Sequence, residues 1–332
     1  MTQINIPVSV LDLAPIRQGE DQRQAIQSVV DLAKETEKLG YERFWISEHH
    51  NTPNLVSSAT VILIKHVLEH TESIRIGAGG VMLPNHVPLV VAEQFGTMET
   101  IYPGRLDLGL GRAPGTDMLT ASALRRSKGH DTVYTFPNDV QSLLTYFGPA
   151  NQQGHVKAFP GVDTKVPIYI LGSSTDSARL AANLGLPYVF ASHFAPRHME
   201  DAISLYRENF KPSPYLDKPY VMICLNVVID ENDQTAEREF TTTQQFFLNV
   251  IRGAAQPLQP PVDDIDAIWT PQEKLAVESM TNESWVGSKD TVRKKMIQFQ
   301  TKYHVDEIIA VSYIFDRDKQ YESYRQLKNI TK

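Results

Sequence analysis

Phe44-Trp45-Ile46-Ser47-Glu48-His49-His50 runs four residues suited to a buried strand straight into a carboxylate and two imidazoles. If Phe44 to Ser47 form a barrel strand, Glu48 to His50 stand at its carboxyl end. Parallel α/β folds gather their chemistry there, because the loops leaving the strand ends converge on one mouth. The expectation is that His49 faces this mouth and that the rest of the chain builds a pocket around it.

Outward from this stretch, short apolar segments alternate with helix-like ones about eight times. The strand segments are Ile6 to Leu11, the quoted stretch, Ser73 to Val81, Leu106 to Leu110, Val166 to Leu171, Tyr188 to Ala191, Tyr220 to Ile229 and Glu307 to Ser312. Between them lie helical segments near 21–39, 57–70, 88–101, 134–147, 175–184, 197–210, 290–303 and 316–328. The first ends at Gly40, a usual helix stop; the second has Ser57 or Ser58 in position to cap it. A Gly/Pro/Ser-containing loop is expected from the fourth strand to about Asp131. Strands alternating with amphipathic helices imply a parallel sheet covered by helices. Eight units favour an α/β fold of the closed (β/α)8 TIM-like kind over an open doubly wound sheet, as a single domain over 1–332. The regular pattern lapses from about 230 to 287, and an insertion that long suits a lid.

With 332 residues, 42% apolar and 21% charged, the chain can bury a large core. Its net charge of −7 and lack of a long Lys/Arg run argue against nucleic acid. The lone Cys224 excludes an internal disulfide and suits a reduced setting. No stretch reaches the ~18 apolar residues of a membrane span, and Met1 to Asn5 do not read as a signal peptide. A cytoplasmic protein is expected. The helix at 57–70 carries Val61, Ile62, Leu63, Ile64, Val67 and Leu68, more apolar circumference than one stripe requires. Either a loop covers it or it forms a homodimer interface, and the second is the expectation.

Chemistry-bearing residues cluster at strand ends. Gly77-Ala78-Gly79-Gly80 ends the third strand, where small residues let a flat ligand approach the backbone or simply mark a bulge. His86 follows and reads as a loop or capping residue. Gly109-Leu110-Gly111-Arg112-Ala113-Pro114-Gly115 lacks the spacing of a dinucleotide loop, which leaves Arg112 as a gripper of phosphate or carboxylate, or as a surface ion pair. Gly172-Ser173-Ser174-Thr175-Asp176-Ser177 opens a helix with free N–H groups and hydroxyls, a natural phosphate site. His193 follows the sixth strand. Two function classes fit: a barrel metallohydrolase using Glu48 and histidines, and a barrel holding a phosphorylated planar cofactor. Neighbouring strand residues point to opposite faces, so His49 and His50 do not readily share a metal. The spacing favours the cofactor, with no metal.

The ordered set Phe44 to His50, Arg75 to Pro84, Gly104 to Arg112 and Ser173-Ser174 followed by Leu180-Ala181-Ala182 resembles the bacterial luciferase-like flavin monooxygenases over nearly the full length. The likeness extends to their short single-chain branch through Gly111 to Asp117. The resemblance implies reduced FMN as co-substrate, supplied transiently by a flavin reductase, with O2 oxygenating a small organic substrate such as an aldehyde or another apolar compound. Position by position it implies His49 as the catalytic histidine beside the flavin. Gly79 and Gly80 would be a cis-linked pair under the ring, and Arg112, Ser173 and Ser174 would surround the phosphate. Glu48 and His193 are assigned to the substrate side. Ser173 departs from the luciferase itself, which carries glutamate there, so light emission is not implied. Alternatives are a deazaflavin-dependent oxidoreductase and a non-catalytic flavin-binding relative.

Overall fold

The computed structural model describes residues 5–125 and 134–331. Eight parallel strands close into a barrel: β1 (Val8–Asp12), β2 (Arg43–Ile46), β3 (Arg75–Met82), β4 (Leu106–Gly111), β5 (Ile168–Gly172), β6 (Tyr188–Phe190), β7 (Val221–Asp230) and β9 (Glu307–Val311). β1 to β6 pair in chain order, β7 pairs with β6 and β9, and β9 pairs with β1, which completes the ring. The TIM-like (β/α)8 expectation is met.

Helices cover the outside: α1 (Gln22–Leu39), α2 (Thr60–His70), α3 (Pro88–Ile101), α4 (Met118–Arg125), α5 (Phe136–Phe147), α6 (Thr175–Leu184), α7 (Met199–Asn209), α8 (Asp233–Ile251), α9 (Pro271–Thr281), α10 (Lys289–Tyr303) and α11 (Arg317–Ile330). Their starts and stops follow local chemistry. α1 opens on an Asp21–Gln24 capping box and closes at Gly40, whose φ of 79° suits a residue without a Cβ.

Period-two alternation sorts the barrel strands, with one register shift in β3 between Gly79 and Val81. Val8, Val10, Phe44, Ile46, Ile76, Ala78, Leu106, Leu108, Leu110, Ile168 and Ile170 face the helices in one continuous apolar core. The inward set is mixed. Near the amino ends of the strands it is an ion-pair plug, in which Arg43 bonds Glu307 at 2.8 and 3.1 Å and Asp107 at 2.8 Å. Arg75 reaches the other Asp107 oxygen at 2.7 and 2.9 Å, and the Trp45 indole N–H donates to Asp107 at 3.1 Å. Buried charges need such pairing to offset desolvation. The plug fills one half of the barrel interior and leaves the other half, at the carboxyl ends, for a cavity.

Three local expectations are corrected. The stretch after β4 was expected as loop to about Asp131, yet α4 forms there. Asp117 Oδ1 accepts from the Leu119 and Thr120 N–H groups at 2.9 and 3.0 Å, and good helix formers follow. The part of that loop at 126–131 lies outside the described residues. α2 starts at Thr60 with no side-chain cap, because buried Ser57 instead donates to the Leu13 carbonyl at 3.2 Å. The 230–287 region is more regular than expected. It holds α8, α9 and the short β8 (Trp285–Ser288), which pairs parallel with β7 over Val227 to Asp230.

The apolar excess of α2 has a packing account. Thr60, Leu63, Ile64, Val67 and Leu68 are buried within the chain, and Ile62 is the large apolar side chain of this helix left exposed, at 69%.

Candidate active site

The carboxyl ends of the strands open into a cavity of about 630 Å3, within the range of small-molecule sites. Its inner walls are apolar and come from several elements: Leu11 from β1, Trp45 from β2, Ile309 from β9, Phe246 and Phe247 from α8, and Met280 from α9. Residues of the insertion therefore supply one wall, as a lid would.

Alternation along β2 explains the quoted stretch. Trp45 and Ser47 face the cavity, whereas Ile46 and Glu48 turn away from it. His49 lines the cavity, with its Nδ1 3.0 Å from the Ser47 hydroxyl. Burial pushes its pKa down to about 4 against the opposing pull of Glu48, so the ring is neutral at neutral pH. The strand ends at Ile46, so strict alternation lapses, and His50 also reaches the cavity wall.

Glu48 is not among the cavity-lining residues. Its buried carboxylate accepts from His50 Nε2 at 2.8 Å and His86 Nε2 at 2.7 Å, both on Oε1. The Met82 backbone N–H reaches Oε2 at 3.2 Å. Burial opposes its ionisation, but these two imidazoles outweigh it and hold the carboxyl down at about 2. The residue set aside as a loop histidine, His86, is thus a partner of Glu48. His86 lies four residues past the end of β3 and 38 past Glu48, so no local spacing marks the pairing. Glu48, His50 and His86 hold their ligand atoms within 4.8 Å of one another, a spacing that suits a divalent cation as well as the hydrogen bonds that they make.

Gly79 and Gly111 line the cavity beside Trp45, and the Gly79–Gly80 peptide is cis. A Cβ on Gly80 would sit 2.7 Å from the Gly109 carbonyl oxygen, so the close approach of β3 to β4 requires glycine there. Gly80 itself stands behind the wall.

Arg112, Ser173 and Ser174 come together at the rim, from the ends of β4 and β5. Ser174 is the N-cap of α6 but makes no side-chain capping bond, so the N-terminal N–H groups of this helix keep their capacity for an anion. The Arg112 guanidinium contacts Asp176 at 3.3 Å in an exposed pair, so both sequence readings of Arg112 remain physically present.

On the far wall, buried His193 lines the cavity with Nδ1 lacking a hydrogen-bond partner. Burial, followed by the nearby His49, pushes its pKa down to about 3. Tyr313 was missed by sequence reasoning. It follows β9 in the same inward phase as Glu307, Ile309 and Val311, which was the available signal. Its ring stacks on Phe246 with centroids 4.6 Å apart, and its buried hydroxyl also lacks a partner.

A parallel barrel with a neutral histidine beside an apolar cavity and an anion-ready rim has the form of a small-molecule enzyme site. The profile of the luciferase-like monooxygenase family matches residues 6–303. A luciferase-like monooxygenase from Escherichia coli K12 is 46% identical over 324 residues, covering 98% of this chain and 96% of that one. The protein YddN of Bacillus subtilis 168 is also 46% identical, over 97% of this chain and 95% of its own. The crystal structure of apo-MsnO8 superposes with a TM-score of 0.90 at 32% identity, covering 98% of both chains. The chain belongs to the luciferase-like monooxygenase family and is an oxygenase-type enzyme.

Proposed function

We propose that this protein is an FMN-dependent monooxygenase that takes reduced FMN from a separate flavin reductase in the cytoplasm and oxygenates a small, largely apolar substrate. The observation that carries the reading is His49, a partly buried, neutral imidazole lining an apolar cavity that Gly79 and the uncapped α6 terminus also line.

The residues present fit the group. Ser173, Ser174 and the α6 N–H groups would take the phosphate, and Arg112 would add charge by sharing its guanidinium between Asp176 and the ligand. Gly79 and Gly111 leave room for a flat ring against the backbone. Reduced FMN, when bound, supplies the electrons that activate O2. The apolar walls formed by Leu11, Phe246, Phe247 and Ile309 exclude water from that chemistry. His49, its Nδ1 held by Ser47, presents its other nitrogen as a base or hydrogen-bonding partner at the reacting centre. Glu48 acts at one remove, fixing His50 and the end of β3 so that the loop carrying His49 is held.

FMN is favoured over a deazaflavin because a monooxygenase needs a reduced ring that reacts with O2, which a 5-deazaflavin does poorly. The test is an FMN absorbance titration with metal analysis, followed by oxygen and product assays with NADH and a flavin reductase. His49→Ala is expected to keep FMN affinity within about twofold while flavin oxidation loses its coupling to product. Unchanged product yield refutes the role of His49. A stoichiometric metal with no FMN binding refutes the flavin reading.

A further inference from the structure

Ser57 stands just ahead of α2, but its hydroxyl turns into the protein rather than capping the helix. Ser57 is 0% exposed and Ser47 2%. Three contacts join these two hydroxyls to His49 in one line. His49 Nδ1 lies 3.0 Å from Ser47 Oγ, Ser47 Oγ lies 3.4 Å from Ser57 Oγ, and Ser57 Oγ donates to the Leu13 carbonyl at 3.2 Å. The line runs from the end of β2 to the end of β1, strands already paired at Ile46 and Asp12.

One placement of protons satisfies every contact along it. A carbonyl only accepts, and a hydroxyl carries one proton. The Leu13 carbonyl takes the proton of Ser57, so Ser57 Oγ meets Ser47 as an acceptor. The proton of Ser47 is then spent on Ser57, and Ser47 Oγ meets His49 as an acceptor. His49 must donate, with its proton on Nδ1. The reverse order, from Ser57 to Ser47 to Nδ1, strips the carbonyl of buried Leu13 of this donor, which is costly in a folded interior. Burial keeps the ring neutral at neutral pH, so a proton on Nδ1 leaves a lone pair on Nε2. Among the described residues Nε2 has no hydrogen-bond partner, yet it is not one of the fully buried unpaired atoms. It is therefore open to the cavity that His49 lines.

Resting on the flavin reading of the same cavity, we infer that Ser57, acting through Ser47, is a positioning residue that fixes His49 as a proton acceptor at Nε2 rather than a hydrogen-bond donor. His49 then takes a proton from an O–H, N–H or activated C–H of a molecule in the cavity. That bond breaks, an Nε2–H bond forms on the imidazole lone pair, and the electron pair stays with the bound molecule. The imidazolium keeps its Nδ1–H bond to Ser47, and the proton leaves from Nε2 with the product. The line ends at a carbonyl, which cannot pass a proton on, so the serines orient the ring and do not carry the proton away.

The tautomer is read on the full-length protein without flavin, from the ring nitrogen NMR shifts of 15N-histidine-labelled chain at about pH 7.5. His49→Gln identifies the His49 signals among the ten histidines. The expected result is a protonated Nδ1 and a bare, pyridine-type Nε2, the reverse of the form that a free neutral histidine favours. Ser57→Ala frees the Ser47 proton to turn to Nδ1, and the Nε2–H form should become the major one. Ser47→Ala, which removes the acceptor itself, should give the same change and decides the matter if Ser57→Ala does not fold. Thermal melts establish which variants are folded. A Ser57 with a merely structural role would lower the melting temperature and leave the tautomer unmoved. The inference is overturned if wild-type His49 carries its proton on Nε2, or if a folded serine variant keeps it on Nδ1. An FMN titration of the wild type separates the two readings. A protonated Nδ1 in a chain that binds no FMN overturns the flavin reading and leaves the positioning role standing, whereas FMN binding with a protonated Nε2 does the reverse.

Discussion

Glu48→Ala offers the sharpest test of how the quoted stretch is held. The side chain is 1% exposed and receives three donors, from His50, His86 and the Met82 backbone. Hydrogen bonds to a charged acceptor contribute roughly 1.5–3 kcal/mol each. The His50 and His86 side chains are 12% and 31% exposed, so after truncation they can turn partly to water, whereas the Met82 N–H loses its acceptor. Discounting the two histidine bonds for that solvation leaves about 3 kcal/mol. Glu48→Gln preserves volume and one good acceptor, and about 1.5 kcal/mol is expected. The assay is guanidinium denaturation monitored by circular dichroism, with ΔΔG accepted only where m is unchanged. The sign with pH follows from a carboxyl held below its ordinary range. Its contribution is present above about pH 4.5 and is lost as pH falls toward 2, and the alanine variant should lack this part of the acid dependence. A loss below about 1 kcal/mol for Glu48→Ala would show that the three contacts do not organise this corner of the barrel.

Two further outcomes are expected. His49 and His193 have pKa values depressed to about 4 and 3 from an ordinary 6.5, so the unfolded chain takes up protons before the native one does. Stability present above pH 6.5 should then fall progressively on acidification, and Tm measured from pH 7.5 to 5 should drop more steeply in the wild type than in His193→Leu. A Tm that is flat or rises over that range contradicts the assignment. We also propose a homodimer through the helix at 57–70, whose Ile62 is exposed in the single chain. Light scattering at micromolar concentration should give twice the chain mass, with Ile62→Glu shifting it toward monomer. A wild-type monomer removes the proposal.

The barrel was legible in the sequence because its strands read on their outer faces. Val8, Phe44, Ile76, Leu108 and Ile170 pack on helices, and that apolar period survives any arrangement of the interior. The interior was not legible. Arg43, Asp107 and Glu307 lie far apart in the chain, and nothing local marks them as one buried cluster. At the site, His49 could be chosen because a strand ran directly into it. His86 could not, since its role depends on a partner that only closure of the barrel brings near, whereas Tyr313 was readable from the inward phase of β9. The crowded face of α2 reads the same way whether it packs within the chain or against a second copy: Leu63, Ile64, Val67 and Leu68 are buried in the chain, and Ile62 is exposed.

β7 is used twice along its length, first by β9 and then, from Val227 to Asp230, by β8. Asp230 and Ser288 are register partners, so the chain leaves for the insertion and returns from it at adjacent points of one ladder. A segment with its two ends stitched side by side can change in length without altering the ladder that it leaves and rejoins. The Leu258 backbone adds a second seam, bonding Ile16 and Gln18 at 2.8 and 2.9 Å in the loop after β1. Phe246, Phe247 and Met280 are thus carried on an exchangeable roof, whereas His49, Gly79 and Arg112 belong to the walls. Substitutions in the roof reshape what the cavity admits while the residues at the strand ends keep their backbone positions in the ladder, a division of labour that suits one barrel to more than one substrate.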